Sequence, residues 1–324
     1  MPGRRTIGVD MGGSKLLAGV VDTGLSVHHR VQRSLNGLDQ AALLDIAVDA
    51  VEQARAAAGG EIAAVGFGIP ALIDQRTRRG VIAVNLPLFD VPFADIMAER
   101  LDLPVFVDND ANVAVLAEHR AGAARGCSEV LLLTIGTGIG GGLILRGELY
   151  RGGVGAAGEL GHVVIDMDGP RCQGNCPNRG CVEAVASGTA LAREAVRVAR
   201  ERPHSGLGRA LADGRALAGP LVVELAHDGD VAALDVLELI GTRLGVALAT
   251  FANIFNPEVV VIGGGVIAAG ELLLAPARAE MLRRALPPSR DEVRVVAAQF
   301  GVEAGMIGAA MLAFDRLRER ADAL

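Results

Sequence analysis

The chain has 324 residues, 51% of them hydrophobic, with a formal net charge of −7. An acidic balance with no basic stripe argues against nucleic acid as a partner. The apolar stretches at 130–145 and 259–270 are broken by glycines and fall short of the roughly 20 residues a membrane span needs. This length suits two lobes of about 150 residues with a cleft between them, and the Ala-, Val-, Leu- and Gly-rich composition suits a buried-sheet α/β fold.

The N-terminus enters a strand-like pattern at once, with no apolar targeting core before it, so the protein is expected in the cytoplasm. Residues 6–10 and 16–22 read as strands joined by Met11-Gly12-Gly13-Ser14-Lys15, a hairpin with a glycine turn. A third strand over 25–34, a helix over 39–58 closed by Gly59-Gly60, and a strand at 62–66 complete a βββαβ unit. A strand at 104–107 then runs into a helix over 111–123 that starts from Asp108-Asn109-Asp110-Ala111-Asn112. The first lobe is expected to span 1–117.

A second strand, glycine turn and strand, 129–134 and 140–146, opens the second lobe, 118–302. Beyond a Cys-rich loop, 189–202 and 231–254 read as helices, the latter stopped by Asn256-Pro257. A buried strand at 258–262 enters Gly263-Gly264-Gly265, followed by a helix, a strand at 293–297 and a final helix. That helix, about 303–324 with its tail, is expected to pack back on the first lobe. The one internal repeat visible is a weak echo between the two hairpins.

The first turn places a carboxylate, Asp10, at a strand end, followed by Gly12 and Gly13, whose amides can approach a phosphate, and by Ser14 and Lys15. Asp10 suits Mg²⁺, which prefers carboxylate, water and phosphate oxygens. A plain Gly-Gly β-turn would also fit, but Lys15 is the only lysine in the chain. The second turn, in Thr134–Gly142, holds Gly136, Thr137, Gly138 and Gly140 inside an apolar hairpin, at a cost in entropy and packing that close phosphate approach explains. The third, Gly263 to Gly265, fits a phosphate-side loop or plain strand-to-helix packing equally well.

In the Asp108 to Asn112 cluster one aspartate would suffice as base for an attacking hydroxyl, and the amides could orient the acceptor; an over-determined helix cap is the other reading. His162, Cys172, Cys176 and Cys181 have the ligand chemistry of a closed tetrahedral zinc site. Disulfides are disfavoured in a cytosolic chain. The loop between is rich in Gly, Pro and Asn and would take its order from the metal. Glu159 and Glu183 flank it as possible acceptors for hydroxyl donors.

In this order the motifs resemble the ROK family of the actin-like ATPase superfamily over nearly the whole chain. They are DMGGSK at 10–15, GFGIP at 66–70, NLP at 85–87, DNDAN at 108–112, TIGTGIGGG at 134–142, GELGH at 158–162, GCVEAVASG at 180–188 and VVIGGG at 260–265. The resemblance implies two RNase H-like domains closing around ATP, Mg²⁺ and a hexose. It implies Asp110 as the base, and Asn85, Asn109, Glu159, His162 and Glu183 as hexose ligands. The two hairpin turns would be phosphate loops and Gly263, Gly264 and Gly265 the adenosine loop. A structural zinc on the Cys/His set and a homodimer or homotetramer are also implied.

Three positions depart from the family pattern. Cys172 and Cys176 have three residues between them where a Cys-x-Cys pair is usual, making the loop two residues longer. Ser14 replaces a usual threonine and Ala71 a usual glycine. The GELGH and GCVEAVASG segments look most like glucokinase members, which favours glucose over fructose, mannose, allose, N-acetylglucosamine or N-acetylmannosamine; polyphosphate remains open as a second donor. The rival function is a sugar-responsive repressor or sensor. No helix-turn-helix pattern precedes Asp10, and intact Asp10, Asp110 and both glycine turns favour turnover.

Overall fold

The computed structural model describes residues 4–74, 79–83 and 86–322. The chain opens with β1 (Arg5–Met11), β2 (Lys15–Asp22), β3 (Val27–Ser34), α1 (Gln40–Ala57) and β4 (Ile62–Ile69), the expected βββαβ unit. Apolar residues of the hairpin, among them Ile7, Val9, Leu16 and Val20, are fully buried. Leu25 turns the chain with φ 66°, so β3 starts two residues later than the apolar pattern suggests. Asp39 caps α1 by accepting a hydrogen bond from Ala42 N at 2.9 Å.

Next come β5 (Ala71–Asp74), β6 (Arg79–Ala83) and β7 (Phe89–Val91), a small antiparallel sheet for which the sequence carried no clear alternation. After α2 (Phe93–Leu101), β8 (Val105–Asn109) leads into α3 (Asp110–Ala121). The first large sheet has the order β3-β2-β1-β4-β8, with β1, β2 and β3 antiparallel and β1, β4 and β8 parallel.

The second half repeats that plan. It contains β9 (Val130–Ile135), β10 (Ile139–Leu145) and β11 (Glu148–Leu149), then α4 (Val182–Ala186), α5 (Gly188–Glu201), α6 (Gly206–Ala212), α7 (Gly219–His227) and α8 (Val231–Phe255). It closes with β12 (Val259–Gly263), α9 (Glu271–Arg284), α10 (Ser289–Glu292), β13 (Arg294–Ala297) and α11 (Ala304–Asp322). Its sheet, β11-β10-β9-β12-β13, has the same order and strand senses as the first. The echo between hairpins thus extends to both whole sheets. Helix α8 buries Val236, Ile240, Leu244 and Leu248 at helical spacing, and Asn256 ends it in the left-handed conformation.

Two helices join the halves. Val113, Leu116 and Ala117 of α3 pack with α11, whereas Ala114 and Val115 pack with Val130, Leu132 and Ile144 of the second sheet. The expected lobe boundary after residue 117 therefore falls inside α3. Glu118, fully buried near the end of this helix, accepts hydrogen bonds from Ala123 N, Gln299 N and Phe300 N, and so pins the chain where it returns towards α11.

Helix α11 lies directly on the first sheet because glycines remove the side chains between them. A Cβ on Gly8 would overlap the carbonyl of Met306, and one on Gly66 the carbonyl of Ala309. Thr6 donates to Ala310 O at 3.2 Å from a fully buried position. Gly66→Ala is expected to destabilise the fold by about 1–3 kcal/mol, since backbone cannot yield as a side chain does. Chemical denaturation measures this, and an unchanged midpoint would contradict the close packing.

Candidate functional site

Because β1, β4 and β8 run parallel, their C-terminal ends share one edge, the usual ligand-facing edge of such sheets. In register across it stand Asp10, Gly68 and Asp108, with Asn109 following. On the second sheet the corresponding edge carries Thr134, opposite both Gly140 and Gly263. The topology therefore brings the acidic strand ends and the glycine turns to equivalent edges of the two sheets.

The first turn is closed by Gly12 N donating to Lys15 O at 2.8 Å, and Leu35 N holds Ser14 O at 2.9 Å. Gly13, Ser14 and Lys15 are exposed on it. Asp10 sits against the first turn of α11, where a Cβ on Gly305 would lie 2.5 Å from the Asp10 carboxyl carbon. Burial, and then the Asp110 carboxylate, push the Asp10 carboxyl up to about 7. Gly305 is a site residue that sequence reading missed; its signal was a glycine in the first turn of an otherwise apolar helix.

The Asp108 to Asn112 cluster divides into separate roles. Asp108 is fully buried and accepts from Arg151 Nε at 2.7 Å and Nη2 at 2.6 Å on one oxygen. Its other oxygen accepts from Asn109 N at 2.8 Å and Asn112 Nδ2 at 2.9 Å. This carboxylate is saturated and ties the first sheet to the chain after β11. Asn109 caps α3 through Oδ1, accepting from Ala111 N and Asn112 N, while its Nδ2 reaches Ala71 O at 3.5 Å.

Asp110 has no cationic partner among the described residues. Burial pushes its carboxyl up to about 6; a hydrogen bond from Ala111 N opposes this and the nearby Glu159 adds to it. Of the two aspartates that sequence left as candidate bases, Asp108 is thus paired with Arg151, whereas Asp110 has no cation beside it among the described residues.

Glu159 precedes a short 3₁₀ turn, Leu160–His162, that His162 ends, with Glu159 Oε2 3.7 Å from His162 Nε2. Although half exposed, the Glu159 carboxyl is raised by partial loss of solvent and by Glu183, against the pull of His162. Glu183 is buried at the start of α4 and accepts from Ile139 N at 2.8 Å, just after the second glycine turn. A Cβ on Gly138 would strike the same carboxylate, so that glycine is required for their approach. Within the second turn Gly136 N donates to Gly138 O at 2.9 Å, and Gly188 N to Gly136 O at 2.8 Å. Gly264, with φ 85°, passes tightly over Ile135 between Gly263 and Gly265. Asn85 lies outside the described residues.

The ligating atoms of His162, Cys172, Cys176 and Cys181 all lie within 4.8 Å of one another. His162 Nδ1 is 3.6 Å from Cys172 Sγ, and Cys176 Sγ is 3.9 Å from Cys181 Sγ. A tetrahedral zinc with Zn–S near 2.3 Å and Zn–N near 2.0–2.1 Å implies separations of about 3.6 and about 3.8 Å. The donor set fits, and Cys172 is in it despite its altered spacing. Burial raises the thiols of Cys172 and Cys181, a tendency that a divalent cation reverses. His162 turns Nδ1 to the cysteines and Nε2 to Glu159, so metal and cleft can use different nitrogens of one ring.

Two RNase H-like sheets of one topology, joined by α3 and α11 and edged with acids and glycine turns, define an actin-like ATPase fold. The chain belongs to the ROK family, whose model matches residues 6–316. It is similar to the glucokinase of Thermotoga maritima, 38% identical over 98% of this chain and 99% of that one. It is also similar to the glucokinase of Streptomyces coelicolor, 36% identical over 95% and 97% of the two chains. The solved ROK family glucokinase from Streptomyces griseus, in complex with glucose and AMPPNP, superposes with a TM-score of 0.88 at 36% identity, covering 96% of this chain and 99% of that one.

Arg151→Ala strands a buried carboxylate and is expected to cost about 3–5 kcal/mol of stability, towards the lower end because 22% of the Arg151 side chain is exposed. The double variant Asp108→Asn with Arg151→Gln should recover most of it in urea denaturation. A single variant as stable as the parent would show that the pair does not hold Asp108.

Proposed function

We propose that the chain is an ATP-dependent hexose kinase acting on glucose, yielding glucose 6-phosphate and ADP. The observation that carries this is Asp110, a desolvated carboxylate with no cationic partner among the described residues, which starts α3 directly after β8, whose end shares a sheet edge with Asp10. Family membership and two glucokinase relatives at 36–38% identity over nearly the full chain support the substrate.

In this reading Asp110 takes the proton of the C6 hydroxyl, that oxygen bonds to the γ-phosphorus in line, and the bond to the β-phosphate oxygen breaks to release ADP. Mg²⁺ held through Asp10 would neutralise phosphate charge. The turns at Gly12 to Lys15 and Gly136 to Gly140 would meet the phosphates, and Gly263, Gly264 and Gly265 the adenosine. Asn85, Asn109, Glu159, His162 and Glu183 would hold sugar hydroxyls. Asn109, with Oδ1 used as a cap, offers Nδ2 as donor, and Glu183, with Oε2 on Ile139 N, offers Oε1 as acceptor.

Zinc is the metal proposed for His162, Cys172, Cys176 and Cys181, where it would order the loop. The proposal also takes residues 1–117 with the C-terminal helix as one lobe and 118–302 as the other, and, on the family resemblance, a homodimer or homotetramer. No helix among the described residues is long and apolar enough to cross a membrane; a cytoplasmic location belongs to the same proposal.

Asp110→Asn is expected to lower kcat by about 10²- to 10⁴-fold with glucose affinity kept, as loss of a general base does. Coupled assay and calorimetry test this, and turnover within about tenfold of the parent would remove Asp110 from the role. A base raised to about 6 also implies a pH profile: kcat/KM for glucose should be full above that value and fall as pH drops through it, because the protonated acid cannot accept. With Asp10 raised to about 7, the KM for Mg-ATP should rise over a higher window, as protons compete with the cation. A flat profile between pH 5 and 8, about the range of both groups, would contradict these environments.

A further inference from the structure

We infer that Gln173 is a positioning residue through which the Cys/His loop sets the orientation of the second glycine turn, and hence nucleotide affinity. The inference rests on the reading of residues 136–140 as a phosphate loop.

Gln173 follows Cys172 directly, in the stretch that makes this loop two residues longer than the family pattern. Its Nε2 donates to Thr137 O and to Ser187 Oγ, both at 3.2 Å. Thr189 Oγ1 donates to the same Thr137 carbonyl at 2.8 Å, and Gly188 N to the Gly136 carbonyl at 2.8 Å. Two successive carbonyls of the turn are therefore anchored on the side of the α5 N-terminus. In a trans peptide the C=O and N–H point in opposite directions. Anchoring the carbonyls of Gly136 and Thr137 thus directs the N–H groups of Thr137 and Gly138 away from α5, where phosphate oxygens would be met.

Of the three groups that donate to these carbonyls, Gly188 and Thr189 belong to α5, and Ser187, which accepts from the Gln173 amide, is its cap. Gln173 alone comes from the metal loop, on the residue next to a thiol ligand. Glu183 also touches this turn, at Ile139 N, but Gln173 is the residue of the metal loop that holds the Thr137 carbonyl. Metal occupancy should therefore reach that carbonyl, and the N–H of Gly138 behind it, through Gln173.

The test is calorimetric titration of MgADP, and separately of glucose, into the parent, Gln173→Ala and Gln173→Glu. Each is measured with its metal content verified by atomic emission, and again after dialysis against a chelator. Gln173→Glu keeps the length but removes the donor. Both variants should bind MgADP roughly 3- to 10-fold more weakly, the range that one neutral hydrogen bond sets, with glucose binding unchanged. Chelation should weaken MgADP binding to the parent by a similar factor and add little in either variant, since the link is already cut. Unchanged MgADP affinity in the variants, or an equal chelation effect in all three proteins, would overturn the inference. A parent that binds MgADP but does not phosphorylate glucose would sink the kinase reading alone; one that binds no adenine nucleotide would sink both.

Discussion

A chain of carboxylates crosses the cleft, each raising the pKa of its neighbour: Asp110 acts on Asp10, Glu159 on Asp110, and Glu183 on Glu159. Burial is the larger cause at each of the three. Carboxylates crowded in a desolvated site raise one another's pKa, and a rigid frame keeps them from relieving the repulsion by moving apart. Here that frame is covalent and packed: Asp10 lies near the end of β1, Asp110 starts α3 directly after β8 of the same sheet, and Glu183 is buried on α4 with a backbone amide fixed to it. The same repulsion leaves the cleft suited to what it would hold, a divalent cation and hydroxyl donors.

The frame gets its rigidity from backbone approaching backbone. Glycines at 8 and 66 let α11 lie on the first sheet, and Gly308 lets it approach the Val113 carbonyl of α3. Helix α3 meanwhile presents Val113, Leu116 and Ala117 to one half and Ala114 and Val115 to the other. It also begins with Asp110, so the residue proposed as base is carried by the element common to both sheets. Asp108, two residues earlier, is spent on the Arg151 pair that ties the halves together beside it.

The Cys/His cluster adds a third anchor. Its histidine turns one nitrogen to the thiols and one to Glu159, and its neighbour Gln173 reaches the second glycine turn. A loop rich in Gly, Pro and Asn has too little core to hold such contacts by packing alone.

Periodicity and turn chemistry alone made much of this protein legible: both hairpins, α1, α3, α8 and the glycine turns arise from local patterns within a few residues. The motif order was enough to indicate the family, and the three cysteines and His162 enough to indicate a metal set. Local pattern could not reveal the small sheet of β5 to β7, whose strands are short, nor that the hairpin echo extends to two whole sheets, since parallel pairing joins residues far apart in sequence. It could not separate Asp108 from Asp110 either. Both are aspartates in one motif, and only the fold brings Arg151 to one and leaves the other without a cation among the described residues. The membership of Cys172 in the cluster was likewise decided by the loop's path in space, because ligand geometry depends on distances between side chains that residue spacing does not determine.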